Sequence, residues 1–233
     1  MEEISKKTAA IILAAGVGSR TGCKKTKQTI EILGKSVLKH TLLAFDEAKS
    51  VSELIVVCRY EERDFVNKEL QSINTPSRVV NGGKCRAESA FFGFESISSD
   101  TEFVLIHDAA RCLVTPYEID TVAKAVYEHK AATASTAVND TVKRCEGMFI
   151  KETVPRKNLR ATQTPQAFSC EIYRRALNSV AVLDETITDD NMLAELIGIK
   201  PYCVETSASN IKITTSYDLE LAEFILSKRK GGG

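Results

Sequence analysis

Histidine is scarce in this chain of 233 residues, three in all, and none of its seven cysteines forms a Cys-x-x-Cys pair. That leaves little for a zinc cluster. Cys23, Cys58, Cys85, Cys112, Cys145, Cys170 and Cys203 are odd in number and widely spaced, so they read as free thiols in a reducing compartment, not as a disulfide framework. Net charge is also missing, since Lys plus Arg and Asp plus Glu both number 31. A nucleic-acid-coating surface is not expected from that balance, although a local basic pocket is compatible with it. No apolar run approaches the ~20 residues of a membrane span. The opening Met-Glu-Glu-Ile-Ser has neither the apolar centre of a signal peptide nor the arginine-rich look of a transit peptide. Cytoplasmic residence, with no membrane and no nucleic-acid partner, is the expectation.

Two familiar phosphate signatures are absent as well. Gly34-Lys35-Ser36 has the tail of a P-loop, but Thr29 stands where its first glycine belongs, so it reads as a turn before a helix. The dinucleotide fingerprint would need a glycine three places after Gly18, where Thr21 stands. What is present is Ala9 to Gln28, an Ile-rich apolar run followed by Gly16, Gly18 and then Arg20, Lys24, Lys25 and Lys27. Glycine admits sharp turns and close approach of a ligand to the backbone. Successive N–H groups and clustered cations then suit a polyphosphate. An ordinary strand-to-loop turn with solvated lysines is the plain alternative.

The length suits one α/β domain, and no repeat or low-complexity linker marks a second. Residues 1–230 are expected to form that domain, with 231–233 as a tail. Short apolar runs at Ala9–Ala15, Leu54–Cys58 and Phe103–His107 alternate with helical stripes at Ser36–Ala48, Arg63–Leu70, Arg86–Ile97 and Tyr117–Lys130. This alternation predicts a Rossmann-like fold with a mostly parallel central sheet and right-handed crossovers. Ser36 is placed to cap the first of those helices. Ligands in such sheets gather beyond the carboxyl ends of the strands, so Arg20, Lys27, Asp108 and Arg111 are expected in one crevice. Further on, a strand is expected at Thr133–Val138, helices at Glu171–Ser179 and Asn191–Ile197, a strand at Asn210–Thr214 and a closing helix at Tyr217–Ser227. Gln163–Phe168 interrupts the pattern, and Asp184–Asp190 reads as an acidic loop capping the next helix. Residues 139–160 read as a polar hairpin around Gly147, either projecting as a dimer arm or folded back on its own domain.

Five motifs in order carry a resemblance. They are Leu13-Ala14-Ala15-Gly16-Val17-Gly18-Ser19-Arg20 with Lys27-Gln28, His107-Asp108-Ala109-Ala110-Arg111, Asp140-Thr141-Val142-Lys143-Arg144, Gln163-Thr164-Pro165-Gln166 and Asn210-Ile211-Lys212-Ile213-Thr214. The first resembles the signature of sugar-phosphate nucleotidyltransferases. The set, over nearly the whole chain, resembles the 2-C-methyl-D-erythritol 4-phosphate cytidylyltransferase family of the non-mevalonate isoprenoid pathway. The resemblance implies transfer of CMP from CTP to a polyol phosphate with release of pyrophosphate, and Mg²⁺ held mainly by the CTP phosphates. It implies catalytic roles for Arg20, Lys27 and Lys212. It assigns CTP contacts to Ala14, Ala15, Gly16, Gly18, Gly82, Arg86 and Ser89, the last three bordering the cytosine. Asp108, Arg111, Thr141, Arg156, Thr164 and Thr188 are implied contacts of the polyol phosphate. It also implies a homodimer through the hairpin arm, with Thr141 and Arg156 reaching the neighbouring site.

The chemistry agrees with these residue types. A phosphate oxygen is already an anionic nucleophile, so the task is bringing two anions together and stabilising charge at the α-phosphate. Arg and Lys do this, and no Ser-His-Asp or Cys-His set is needed. Thr26 and Thr29 stand where relatives usually have proline and an aromatic, and Cys112 where they have proline, so the loop is expected to be looser. A ribitol-5-phosphate cytidylyltransferase is the nearest alternative, although Ala14-Ala15-Gly16 and Ala110 favour the first family. A non-catalytic nucleotide-binding relative is the alternative from another class, and a nicotinamide oxidoreductase ranks below both.

Overall fold

A computed structural model describes residues 6–16 and 26–231. The chain begins with β1 (Thr8–Leu13), followed by the two-residue strands β2 (Glu31–Ile32) and β3 (Lys35–Ser36) and then α1 (Val37–Asp46). Next come β4 (Glu53–Cys58), α2 (Arg63–Leu70), β5 (Ser77–Asn81), α3 (Arg86–Phe94), β6 (Phe103–Asp108) and α4 (Pro116–His129). The second half holds β7 (Ala131–Ala137), β8 (Val142–Glu146), β9 (Phe149–Val154) and β10 (Arg160–Ser169). It closes with α5 (Cys170–Leu177), α6 (Asp190–Leu196), β11 (Tyr202–Glu205) and α7 (Ser216–Gly231).

Seven strands form one sheet in the order β11-β7-β10-β6-β1-β4-β5. Its centre is parallel, β1 pairing with both β6 and β4, and β4 with β5. These central strands are buried almost throughout because helices cover both faces, which is why their sequences read as unbroken apolar runs. The period of two still sorts their side chains. Ala10, Ile12, Leu54, Val56 and Leu105 face a core filled by Leu38, Leu42 and Phe45 of α1 and Val122 and Val126 of α4. Ile11, Ile55, Val57, Val104 and Ile106 face the other side, under Ala90 and Phe94 of α3 and Tyr173 of α5. A Cβ on Gly93 would lie 2.5 Å from Ile11 Cγ2, so the absence of a side chain there sets how closely α3 approaches the sheet.

Local signals in the sequence act as read. Ser36 caps α1, its hydroxyl accepting from the Lys39 N–H, and Gly34 turns β2 into β3 with φ +77°. Asp189 at the end of the acidic loop caps α6.

Three expectations need correction. Gln163–Phe168 is not an interruption but part of β10, which runs antiparallel between β6 and β7. Its polar first half and Pro165 hide it, and its register shifts between Thr162 and Gln166, around a proline that cannot donate to a ladder. Asn210–Thr214 is not a strand. Its backbone instead meets the loop after β6: the Ile213 N–H donates to Ala110 O at 2.8 Å, and Arg111 Nη1 donates to Asn210 O at 2.9 Å. The alternation read there is real, since Ile213 packs inward beneath α7. The tail is shorter than expected, because Gly231 still belongs to α7. Edge strand β11 was not foreseen, having one buried residue, Val204.

Among the described residues, strands β8 and β9 pair only with each other, as a separate two-stranded sheet. Nearly every residue is exposed, with Met148 95%, Phe149 82% and Ile150 65% accessible at and beside the tip. The hairpin therefore projects and is not folded back.

Candidate active site

β1, β4 and β6 run parallel, so their carboxyl ends share one sheet edge. The chain stays zipped just beyond them: Ala14 N–H donates to Val57 O at 2.7 Å, Gly82 N–H to Cys58 O at 2.8 Å and Ala109 N–H to Leu13 O at 3.0 Å. Above this edge lies a cavity of about 460 Å³, within the range of small-molecule sites. Its lining includes Ala14, Ala15, Gly16, Lys27, Arg86, Ser89, Asp108 and Lys212, all singled out from sequence. A second cavity of about 250 Å³ adjoins it and takes in Arg111, Thr164 and Thr188. Arg86, Asp108 and Lys212 line both.

Asp108 is the hinge of the pair. Its Oδ2 lies 2.7 Å from Lys212 Nζ and its Oδ1 3.0 Å from Arg86 Nε. Burial by itself would raise the carboxyl, but the adjacent Arg86 and Lys212 outweigh it and hold Asp108 well below the ordinary carboxylate range. Arg86 reaches further, its Nη1 lying 2.7 Å from Asp190 Oδ2, while the Tyr173 hydroxyl donates to the other oxygen of Asp190 at 2.7 Å. Burial would lower the Arg86 guanidinium, and the two carboxylates more than reverse that. Arg86 is thus a fixed cation between the cavities, not only a residue at the edge of the first.

His107 is fully buried. Its Nε2 lies 3.2 Å from Arg111 O and its Nδ1 3.0 Å from Thr164 Oγ1. A carbonyl can only accept, so Nε2 carries the proton and Nδ1 accepts from the threonine hydroxyl. Thr164 Oγ1 in turn accepts from the Asp108 N–H at 3.1 Å. Burial pushes His107 down to about 3, which keeps this neutral tautomer. Arg111 donates through Nη1 to Asn210 O, while its buried Nε has no partner among the described residues.

The remaining candidates shape the walls of the cavities or lie outside them. Gly82 does not line either cavity. A Cβ there would lie 2.5 Å from Ala15 Cβ, so this glycine lets Ala15 pack closely. Ser89 accepts from Gly83 N–H at 3.0 Å and donates to Cys85 O at 2.9 Å, shaping the same turn. Thr141 and Arg156 are exposed at the base of the arm, outside both cavities, with Arg156 Nη1 donating to Asn139 O. Arg20 and Gly18 lie outside the described residues. Arg59 and Lys84, which also line the first cavity, were missed, and so was Asp190 behind Arg86. Arg59 carried one usable signal, since it directly follows the last residue of β4.

Among the described residues, five cations, Lys27, Arg59, Lys84, Arg86 and Lys212, line the first cavity against one carboxylate, Asp108. Such a lining attracts anions. Among the described residues there is no group of three or more His, Cys, Asp or Glu side chains arranged to hold a metal, and no helix is long and apolar enough to cross a membrane.

Comparison with known proteins agrees with this arrangement. The sequence profile of the family described as IspD, 2-C-methyl-D-erythritol 4-phosphate cytidylyltransferase, matches residues 8–228. The protein of that name from Alkaliphilus oremlandii is 38% identical over 236 aligned positions, covering all of both chains. That from Clostridium perfringens is 39% identical over 221, covering 93% of this chain and 97% of its own. Among solved structures, 4-diphosphocytidyl-2C-methyl-D-erythritol synthase from Anaerococcus prevotii superposes with a TM-score of 0.85 at 30% identity, covering 96% of this chain and 99% of that one. The chain belongs to the 2-C-methyl-D-erythritol 4-phosphate cytidylyltransferase family.

Proposed function

We propose that the two adjoining cavities are the two halves of one cytidylyltransferase site, the larger for CTP and the smaller for the alcohol phosphate. The reaction itself is the family's: a cytidylyl group passes from CTP to 2-C-methyl-D-erythritol 4-phosphate in isoprenoid biosynthesis. The observation that carries the site assignment is that Lys27 and Lys212 line the same cavity, while Arg86, Asp108 and Lys212 also border its neighbour. The comparisons name methylerythritol phosphate as the acceptor, and ribitol phosphate is not favoured.

In this reading an oxygen of the alcohol phosphate attacks the α-phosphorus of CTP. The new P–O bond forms as the bond to pyrophosphate breaks, and no proton has to be removed from the nucleophile. Lys27 and Lys212 neutralise charge around the reacting phosphate, and Arg20 is assigned to the same task. Ala14, Ala15 and Gly16 supply backbone close to the nucleotide, a role assigned to Gly18 as well, with Gly82 and Ser89 shaping the wall behind it. Arg86 stands where both anions approach, so its charge offsets their mutual repulsion. Arg111, with a buried N–H lacking a partner among the described residues, suits the phosphate of the alcohol, and Thr164 and Thr188 border the same space.

Mg²⁺ fits this site only in one manner. Both oxygens of Asp108 already face cations, so the described lining offers a metal little beyond what the CTP phosphates bring. Bound there, Mg²⁺ would neutralise triphosphate charge. The exposed arm, with apolar residues at its tip and Thr141 and Arg156 at its base, supports a homodimer in which those two residues serve the partner's site. Cytoplasmic residence is consistent with the free thiols.

Pyrophosphate release with CTP, measured against methylerythritol phosphate and ribitol phosphate in parallel, tests the substrate. Lys27→Ala tests the site: turnover should fall by orders of magnitude with unchanged melting. Full activity in that variant would refute the assignment.

A further inference from the structure

We propose that Glu62 is a positioning residue for the phosphate grip: it clamps the residues on both sides of Lys27 and so sets that lysine against Lys212. The inference rests on the proposed role of Lys27 at the CTP phosphates. Glu62 lies just past β4 and is 6% exposed, where a bare carboxylate would be costly. It is far from bare. Its Oε1 accepts from Thr26 Oγ1 at 2.5 Å, Arg59 Nη2 at 3.0 Å and Gln28 Nε2 at 3.1 Å. Its Oε2 accepts from Gln28 Nε2 at 2.9 Å and Arg59 Nε at 3.3 Å. Burial would raise this carboxyl, but Arg59, Thr26 and Gln28 outweigh it, so Glu62 stays charged at neutral pH.

The geometry is that of a clamp. Thr26 and Gln28 flank Lys27 and both end on one carboxylate. Gln28 Nε2 also donates to Ala14 O at 2.6 Å, tying the same point to the end of β1. Lys27 points the other way, its Nζ lying 3.4 Å from the carbonyl of Ile213, next to Lys212. Arg59 completes the device. It lines the CTP cavity and neutralises a carboxylate that would otherwise repel a triphosphate. Thr26 itself has φ −70° and ψ 148°, which the ring of a proline also permits. The same backbone can therefore be stiffened by a second, independent route.

The test is steady-state pyrophosphate release by the full chain, with Glu62→Gln, Thr26→Val, their double variant, Thr26→Pro combined with Glu62→Gln, and Lys27→Ala. Glu62→Gln and Thr26→Val should each lower kcat/KM for CTP by about tenfold, the scale of a lost hydrogen bond to a charged group, with the KM of the alcohol phosphate unchanged. The double variant should be no worse than Glu62→Gln alone, because both remove one interaction. Thr26→Pro should restore part of the activity lost in Glu62→Gln. A merely structural glutamate would lower melting and leave these kinetic constants unmoved well below the transition. Wild-type kinetics for Glu62→Gln and Thr26→Val, or additive losses, would overturn the proposal while leaving the site intact if Lys27→Ala is inactive. Full activity of Lys27→Ala would instead bring down the reading of the site. Should Glu62→Gln fail to fold, Thr26→Val alone still decides, since it removes only the hydroxyl.

Discussion

Asp108→Asn removes the one carboxylate shared by the two cavities while keeping its shape. Removing one partner of a buried ion pair costs roughly 3–5 kcal/mol. Two facts reduce that here. Lys212 is 44% exposed, so its share is screened by water, and Arg86 keeps its second partner, Asp190. About 2–3 kcal/mol is then expected, which for a chain of this size means a fall in Tm of roughly 5–10 °C. The native carboxyl lies below its ordinary value of 3.8, so its contribution is complete above that value and fades only as pH falls below it. The difference in Tm between wild type and variant should therefore be the same at pH 7 and pH 5. Turnover should fall more steeply than stability. Arg86 and Lys212 both lose an anchor, and displacement of a positioning group by ~1 Å can cost about a hundredfold in rate. Calorimetry and pyrophosphate-release kinetics on one preparation check both numbers. Unchanged Tm would refute the ion-pair reasoning; a lowered Tm with wild-type turnover would leave Asp108 a role in folding only.

Other outcomes follow from the same geometry. His107 is neutral in the fold with its value pushed down to about 3, so stability should be complete above the ordinary 6.5 and fall as pH drops through that window. The slope is at most about 1.4 kcal/mol per pH unit, and His107→Gln should flatten it in pH-dependent melting. Gly93→Ala should destabilise by roughly 1–3 kcal/mol through overpacking against Ile11 and Val57, read by denaturant titration, without altering KM for CTP. Arg156→Ala should raise the KM of the alcohol phosphate far more than that of CTP, and mixing it with an inactive Lys27→Ala chain should restore some activity if the arm serves the partner. Equal loss for both substrates would contradict that assignment.

Much of this protein was legible before folding. The apolar runs around Ile11, Val56 and Leu105 are what strands covered on both faces must look like, and Ser36 and Asp189 announce helix starts by local hydrogen-bonding chemistry. Lys27 and Asp108 were readable together, because parallel strands deliver their carboxyl ends to one edge, whereas Lys212 joined them only through the family resemblance. Tertiary structure decided the rest, for reasons a linear pattern does not carry. Strand β10 owes its existence to neighbours on both sides and not to its own polar, proline-bearing sequence. The stretch around Lys212 alternates like a strand yet is held by the loop after β6. The partnerships of Arg86 with Asp190 and of Glu62 with Thr26 and Gln28 join residues 104, 36 and 34 positions apart. A carboxylate's charge is visible in sequence; which cations surround it once water is excluded is settled only by packing.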